Sequence, residues 1–326
     1  MRNLLVSVIM SVFNESREYL DLSIESILEQ SFKDFEFIII NDNPRCHELD
    51  DVLSHWKKKD PRIIILKNTE NRGLAYSLNE ALKICRGVYI ARMDADDISL
   101  PQRLEKQVNF LDKNTNIFLC GTGVILINED GQEIGRVIHS GRGHPLEYLL
   151  GKITILHPTW MFRKQLLDRL IGYRNIKYAQ DVDFLCRAII SGYGVSNIEE
   201  PLLKYRVYKM KNPDKDIIQF KISREIRKSV FSKRFIEDDF VINLNKKIKP
   251  PSSRFIKKCH LLSSFFHSVA LELRLKNKKH FIIFYILSMV LSPYKWQYFI
   301  DKLLIQLKFL LSKNKIKNSS WIKIQR

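Results

Sequence analysis

Short apolar runs alternate with segments of helical spacing along the first two thirds of the chain. The first run, Leu4 to Phe13, is followed by Tyr19 to Gln30, whose apolar residues recur on one helical face. The same pattern predicts strands at Phe35–Ile40, Arg62–Leu66, Gly87–Ala91 and Ile117–Asn128, and helices at Cys46–Lys59, Gly73–Ile84, Gln102–Leu111 and Asp181–Ser191. Val195–Tyr208 closes this part of the chain. This alternation predicts an α/β fold with a mostly parallel sheet and helices on both faces.

The pattern changes at a polar break, Lys211 to Asp214, so we place a domain boundary at residue 212. Residues 213–326 are predicted to form amphipathic helices, with one stripe from Phe255 to Leu273 and another from Trp296 to Leu311. Phe281 to Leu291 is apolar except for Ser288 and is shorter than the about 20 residues that span a bilayer. Such a region is typical of helices lying on a membrane, and a helical subdomain that packs or dimerises is the alternative.

Charge is distributed unevenly along the 326 residues, whose net charge is +18. Residues 1–200 hold 25 Lys and Arg against 28 Asp and Glu, whereas residues 201–326 hold 29 against 8. A basic tail attracts either nucleic acid or an anionic membrane. Because apolar stripes separate the basic residues, we expect an anionic membrane surface as the partner and no nucleic acid.

The cysteines and the N-terminal segment indicate where in the cell the protein is expected. Five scattered cysteines without a C-x-x-C pair favour reduced thiols over a disulfide framework or a zinc site. The segment after Met1 has no signal-peptide pattern. We therefore expect a cytoplasmic protein that is peripheral on the inner face of the cytoplasmic membrane.

Three carboxylates follow the apolar run Gly87–Ala91, in the stretch Asp94-Ala95-Asp96-Asp97. Like charges crowded at one strand end are unfavourable unless a cation or a partner neutralises them. Ligands of open α/β sheets bind at the carboxyl ends of the strands. Oxygen ligands at this place suit Mg²⁺ or Mn²⁺ carrying a diphosphate, although acidic turns are also common without a metal.

Polar residues also follow other predicted elements. The first strand ends near Ser11 and Phe13, which could hold a nucleoside, or it could simply run into a helix cap at Asn14. Asp42 follows the second strand and could accept the imide N–H of uracil, although Asn-Asp-Asn also favours a turn. Arg72 precedes a helix and offers planar donors to a base or phosphate, or belongs to a surface cap.

Taken in this order, these stretches resemble glycosyltransferase family 2, whose members are inverting enzymes of GT-A fold that use nucleotide-sugar donors. The resemblance covers about residues 5–210. It includes Ser99-Leu100-Pro101, His157-Pro158-Thr159 and Gln180-Asp181-Val182-Asp183. It implies a GT-A domain at residues 1–212, with a Rossmann-like sheet, followed by the basic helical tail.

The resemblance also implies roles for single residues. Ser11, Phe13, Asp42 and Arg72 would hold the uridine. Asp94 would bind the ribose or the metal, and Asp96 would ligate Mn²⁺ or Mg²⁺. Asp181 would be the general base, unless it is only a charge at a helix N-terminus. Asp97 is expected to hydrogen bond locally, and Asp183 to orient Arg187 or a backbone group.

Four positions depart from the family pattern. Ser11 replaces a usual Pro, Asn41 stands where Asp is common, and Gln180 replaces a frequent Glu. Tyr208 stands where Tyr-Arg-x-His often has its His, so the last motif's contact with metal or phosphate is in question. His157 and Trp160 are left open between a core position and contact with a sugar or diphosphate.

We therefore expect transfer of a hexose or N-acetylhexosamine from a UDP-sugar to a hydroxyl of a surface glycan of lipopolysaccharide, capsule or O-antigen type. A lipid-linked glycan is a further candidate acceptor. The first alternative is a nucleotidyltransferase-like enzyme with an acidic metal site, but Ser11 to Ser16 lacks the Gly and Lys that would hold a triphosphate. The second is a basic-tailed nucleic-acid-binding protein. The sugar, the linkage and the oligomeric state stay open.

Overall fold

The computed structural model describes residues 5–303 apart from 142, 144, 150–153, 209–211, 234–237, 276–277, 298 and 302. The strands are β1 Val6–Val12, β2 Phe35–Asn41, β3 Ile63–Lys67, β4 Tyr89–Asp94, β5 Ile98–Ser99, β6 Ile117–Ile127, β7 Glu133–Val137, β8 Met161–Arg163 and β9 Gly194–Arg206. The helices are α1 Arg17–Leu28, α2 His47–Lys59, α3 Leu74–Ile84, α4 Arg103–Lys113, α5 Pro145–Leu149, α6 Leu167–Leu170, α7 Gln180–Ile190, α8 Pro213–Lys233, α9 Asp238–Lys247, α10 Arg254–Leu275 and α11 Phe281–Leu291.

The strands and helices predicted before residue 212 are present, with bounds that differ by at most three residues. Their apolar runs are buried as expected: in β1 only Ser11 is partly exposed, and every residue of β2 is buried. Three short strands, β5, β7 and β8, were not predicted. They have two to five residues each and depend on pairing with longer strands rather than on a pattern of their own.

The strands form one sheet in the order β3-β2-β1-β4-β8-β6-β9-β5, with β7 added beside β6. β1, β2, β3 and β4 pair in parallel, which confirms the α/β prediction for this half. The other half is mixed. β8 runs antiparallel to both β4 and β6, whereas β6 and β9 pair in parallel.

The strand order reverses at β1, which lies between β2 and β4. Ser11 near the carboxyl end of β1 pairs with Ile40 of β2 on one side and with Asp94 of β4 on the other. Ligands of open α/β sheets bind in the crevice beside such a reversal. Three strand ends that the sequence marked as polar therefore meet at one edge of the sheet.

The opposite edge is fixed by a buried carboxylate. Glu36, only 2% exposed, accepts hydrogen bonds from the Ser7 hydroxyl at 2.7 Å and from the Arg86 backbone N–H at 2.7 Å. Gly87 follows, and a Cβ there would lie 2.5 Å from the Ser7 nitrogen, so the backbones approach too closely for another residue. These contacts hold the start of β4 against β1.

The chain divides into two compact units, Met1–Asn175 with Asp183–Lys209, and Ile176–Val182 with Met210–Arg326. The described part of the second unit contains helices α8 to α11, in agreement with the predicted helical tail. Of the predicted stripe from Trp296 to Leu311, the members from Leu304 onward lie outside the described residues. Within the described residues, no helix is both long and apolar enough to cross a bilayer.

Candidate active site

An acidic cluster lies where β4 ends. Asp94, Asp96 and Asp97 each direct a carboxylate oxygen to a common region, and these oxygens lie within 4.8 Å of one another. The Ser23 hydroxyl of α1 donates to the Asp94 carbonyl at 2.9 Å and holds the end of the strand. Sequence reasoning predicted Asp94 and Asp96 as metal ligands, and the structure adds the carboxylate of Asp97 to the group.

Arg206, the last residue of β9, holds the acidic turn in place. Its backbone N–H donates to Oδ1 of Asp97 at 2.9 Å, and its Nε donates to the Asp96 carbonyl at 2.9 Å. Its Nη1 also donates to the Glu129 carbonyl at 2.9 Å, and the guanidinium lies 3.9 Å from the centroid of the Tyr19 ring. Asp97 was predicted to hydrogen bond locally, but this bond joins it to a residue 109 positions away, and Arg206 was not predicted as a contributor.

Tyr208 contacts the cluster directly. Its hydroxyl donates to Oδ2 of Asp96 at 2.7 Å. This is the position where the family pattern often has a histidine. The residue orients the carboxylate of Asp96 through a hydrogen bond.

Burial and the repulsion of neighbouring carboxylates raise the pKa values of Asp96 and Asp97. Burial raises the pKa of Asp96 and the charge of Asp94 adds to it, although the hydroxyl of Tyr208 acts in the opposite direction. Burial likewise raises the pKa of Asp97 well above its ordinary value, and Asp94 and Asp96 add to that shift. Burial is also the main reason for the raised pKa of Glu15, which feels the charges of Asp96 and Asp94.

A divalent cation fits this arrangement. Oδ2 of Asp97 is buried and has no hydrogen-bond partner within the part of the chain that the structure describes. Buried polar atoms normally have partners, and a carboxylate oxygen without one suits a metal ligand. A cation would also offset the repulsion that raises the pKa values of Asp96 and Asp97.

Arg92 supplies a positive charge beneath the cluster. Its side chain is 2% exposed and its Nη2 contacts Oδ1 of Asp94. Its Nε and Nη1 have no hydrogen-bond partner among the described residues. A charged residue in an otherwise apolar strand, two positions before Asp94, is a signal that sequence reasoning did not use.

Asp42 lies at the same edge of the sheet and organises the loop before α3. Its Oδ1 accepts from Asn68 Nδ2 at 2.6 Å and from the Arg72 N–H at 2.8 Å, and its Oδ2 accepts from the Gly73 N–H at 2.8 Å. Gly73 has φ +84°, a left-handed backbone angle that glycine adopts most readily. A carboxylate has about four lone-pair positions, so one on Oδ2 can still accept a donor.

Phe13 and Arg72 are both accessible near this edge. Phe13 is 39% exposed, and its backbone N–H donates to Glu15 Oε2 at 2.7 Å while its carbonyl accepts from Asn43 Nδ2 at 2.9 Å. The Arg72 guanidinium lies 4.5 Å from the Tyr76 ring centroid and pairs with Glu70 at 2.9 Å. The loops therefore present an aromatic ring and a planar cation.

The predicted base, Asp181, lies half-buried in the first turn of α7. Asp183 is fully buried, and its Oδ2 accepts from Arg187 Nε at 2.7 Å. The same guanidinium donates to the carbonyls of Leu170 at 2.7 Å and Gly172 at 2.9 Å. The expected pairing of Asp183 with Arg187 is confirmed, and it ties α7 to the loop after α6.

His157 and Trp160 belong to the core. His157 is buried, its Nε2 lies 2.9 Å from the Tyr173 hydroxyl, and burial lowers its pKa well below the ordinary value, with the charge of Arg92 acting in the same direction. Trp160 is 1% exposed and its Nε1 donates to the Ile155 carbonyl at 3.0 Å. A ring so buried has no face for a sugar.

Comparison with known proteins identifies the family. The model of glycosyl transferase family 2 matches residues 7–171, half of the chain. The chain belongs to glycosyltransferase family 2. This membership confirms the resemblance drawn from the motifs. The protein is therefore classed as a glycosyltransferase and not as a nucleotidyltransferase or a nucleic-acid-binding protein.

Two relatives of this family 2 glycosyltransferase each match about three fifths of its length. It is 40% identical over 211 residues to the uncharacterized glycosyltransferase MJ1057 of Methanocaldococcus jannaschii, covering 62% of this chain and 71% of the relative. It is 37% identical over 206 residues to the O-antigen biosynthesis glycosyltransferase WbnJ of Escherichia coli, covering 63% and 80%. The crystal structure of S. aureus TarS in complex with UDP is similar to this chain with a TM-score of 0.55 and 17% sequence identity, over 89% of both chains. This similarity confirms the GT-A-like fold.

Proposed function

We propose that this glycosyltransferase transfers a hexose or N-acetylhexosamine from a UDP-sugar, with inversion, to a hydroxyl group of a surface glycan. The observation that carries the proposal is the meeting of Ser11, Asp42 and the Asp94–Asp97 cluster at one edge of the sheet. This edge would receive the nucleotide on one side and its diphosphate on the other.

Phe13, Asp42 and Arg72 would hold the uridine. The ring of Phe13 is exposed for packing against the base, and the remaining lone pair on Oδ2 of Asp42 can accept the uracil imide N–H. Arg72 offers guanidinium donors to the base or phosphate. TarS, whose fold resembles that of this chain, has been crystallised in complex with UDP and with UDP-GlcNAc, which supports a uridine donor.

Asp94 and Asp96 would hold Mn²⁺ or Mg²⁺, with Asp97 as a further oxygen donor. The bound ion would supply positive charge that neutralises the departing diphosphate. Arg206 and Tyr208 keep the carboxylates in position through their hydrogen bonds to Asp97 and Asp96. Arg92 holds Asp94 from below.

Asp181 would act as the general base. The acceptor oxygen forms a bond to the anomeric carbon as the bond from that carbon to the diphosphate oxygen breaks, and the acceptor proton passes to Asp181. Attack opposite the leaving group inverts the anomeric centre. A base of this kind needs reach to the acceptor oxygen more than an unusual pKa.

The acceptor would be a surface glycan or its lipid-linked precursor at the inner face of the cytoplasmic membrane. WbnJ is named for O-antigen biosynthesis, AmsE of Erwinia amylovora for amylovoran biosynthesis, and TuaG of Bacillus subtilis for putative teichuronic acid biosynthesis. The excess of 29 basic over 8 acidic residues after residue 200 favours association with an anionic membrane.

A panel of UDP-hexoses and UDP-N-acetylhexosamines tests the proposal, with UDP release measured in Mn²⁺, Mg²⁺ or EDTA. We expect slow hydrolysis of one donor that EDTA abolishes, and a loss of about 100-fold or more in Asp96→Asn and Asp181→Asn. Asp51→Asn, on the exposed face of α2, is the matched control and should keep the wild-type rate. Near-normal turnover in Asp181→Asn would contradict the base assignment, and no turnover of any UDP-sugar would contradict the donor.

A further inference from the structure

The helices α10 and α11 pack against each other, and four polar residues are buried where they meet. His260 and Ser263 of α10, together with Ser288 of α11 and Ser292 just after it, are all fully buried. His260 Nδ1 lies 2.8 Å from the Ser292 hydroxyl, and the Ser263 hydroxyl donates to the Ser288 carbonyl. Small and polar residues that hydrogen bond between helices are typical of packing in lipid.

The outer surface of the same pair is apolar. On α11, Ile283 is 57% exposed, Ile286 55% and Val290 64%, and on α10, Phe255 is 75% and Phe265 60% exposed. In proteins surrounded by water, large apolar side chains are usually buried. A large exposed apolar patch therefore marks an interaction surface. α11 has the reverse arrangement, with Ser288 buried and large apolar residues exposed.

Basic residues flank this apolar surface. Residues 254–300 contain eight Lys and Arg and a single acidic residue, Glu272, while α11 itself has no charged residue. The described Lys258, Lys278 and Lys279 are exposed, and they lie in the first turns of α10 and just before α11. Lysines beside an apolar face complement anionic lipid headgroups, whereas a second copy of this basic surface would bring like charges together.

The length of α11 limits how it can enter a bilayer. Its 11 residues extend about 16 Å, well short of the about 30 Å of a hydrocarbon core. A helix of this length, apolar around most of its circumference, suits shallow insertion among headgroups and upper acyl chains.

We propose that the α10–α11 pair is a membrane-inserting element that buries the outer face of α11 in an anionic lipid surface. This extends the membrane association proposed above and rests on it, but it can be measured without sugar transfer. The polar seam between the helices stays closed in the membrane, and the flanking lysines contact the headgroups.

Vesicle flotation of the full chain tests this proposal. We compare phosphatidylcholine vesicles with vesicles that also contain phosphatidylglycerol, each across a salt series. The wild type should float with anionic vesicles and less so as salt rises. The double variant Ile283→Ser/Ile286→Ser should weaken flotation by about tenfold or more, because two inserted side chains lose their apolar character. The matched control Ile134→Ser/Ile138→Ser changes two residues of similar exposure, 47% and 53%, and should float normally.

Insertion depth is measured with brominated phosphatidylcholine, which quenches only indoles that reach the acyl chains. Quenching should increase in Ile286→Trp over wild type, and it should not increase in Ile138→Trp. Flotation without this increase would show binding through charge alone and would overturn insertion. A dimer that Ile283→Ser/Ile286→Ser converts to a monomer, with flotation unchanged, would also overturn it.

Hydrolysis of the UDP-sugar is measured on the same variants. Lost flotation with normal hydrolysis in the double variant is the result expected of an anchor separate from the active site. Failure of the wild type to float, with hydrolysis intact, overturns the anchor alone. Absent hydrolysis with normal flotation overturns the proposed function alone.

Discussion

The hydroxyl of Tyr208 donates to Oδ2 of Asp96 across 2.7 Å, joining residues 112 positions apart in the chain. Because the hydroxyl stabilises the ionised carboxylate, it lowers the pKa of Asp96 against the effect of burial. The neutral side chain of Tyr208 therefore hydrogen bonds to the predicted metal ligand Asp96, at the position where the family pattern often has a histidine. Partners that orient a metal ligand commonly affect metal affinity.

Tyr208→Phe should weaken Mn²⁺ binding about tenfold, because Asp96 loses the bond that orients it and favours its ionised form. Binding is measured by calorimetry on the protein without donor. Tyr193→Phe, a tyrosine in ring contact with Phe118, serves as control and should bind Mn²⁺ like wild type. Tyr208→His should recover part of the lost affinity. Unchanged Mn²⁺ affinity in Tyr208→Phe would mean that Tyr208 does not act on the metal site.

Asp42→Asn should weaken UDP binding about tenfold and lower the free energy of unfolding by about 1–3 kcal/mol. All three hydrogen bonds to the Asp42 carboxylate come from N–H donors. In the asparagine variant an NH2 group replaces one carboxylate oxygen, so that one N–H donor faces another. UDP affinity is measured by calorimetry and stability by urea unfolding. Asp51→Asn is the control on an exposed face. If the variant loses stability but binds UDP normally, Asp42 stabilises the loop before α3 and does not bind the uridine.

Acidification should destabilise the protein through His157. Burial lowers the pKa of this histidine, so below pH 6.5 the unfolded chain binds a proton that the folded chain excludes. Stability therefore falls as pH drops below 6.5, by about 1.4 kcal/mol per pH unit down to the lowered pKa. Urea unfolding of wild type and His157→Gln at pH 7.5 and 5.5 measures the difference.

The variant His157→Gln should lose less stability on acidification than wild type, because glutamine can keep the bond to Tyr173 without titrating. His55→Gln changes an exposed histidine of α2 and should retain the wild-type pH dependence. Equal pH dependence in wild type and His157→Gln would contradict the assignment of a neutral buried histidine.

The parallel half of the sheet was predictable because its signals are local. An apolar run followed by a polar residue marks a strand and its end, and β1, β2 and β4 each carry that signal in a few consecutive residues. The family resemblance implied that Ser11, Asp42 and Asp94 serve one nucleotide, and the parallel pairing of β1, β2 and β4 brings their carboxyl ends to one edge. The predicted roles of these residues toward UDP and metal stay predictions.

The short strands and the core aromatics were less accessible to sequence reasoning. β8 has three residues and exists because β4 and β6 flank it, which no local pattern reveals. Trp160 precedes it, and the choice between core and sugar contact depended on whether its ring was covered. Its burial against Phe184, with ring centroids 5.7 Å apart, decided for the core.

The sequence by itself determined the alternation of strands and helices up to β4, the acidic turn after β4 and the basic, apolar character of the tail, because each depends on neighbouring residues. Tertiary structure alone decided that Arg206 and Tyr208 hold that turn, since β9 must first pair beside β5 and β6. It likewise decided that α10 and α11 turn serines inward and isoleucines outward. Helical periodicity gives the spacing of a stripe, but packing against a partner determines which face is buried.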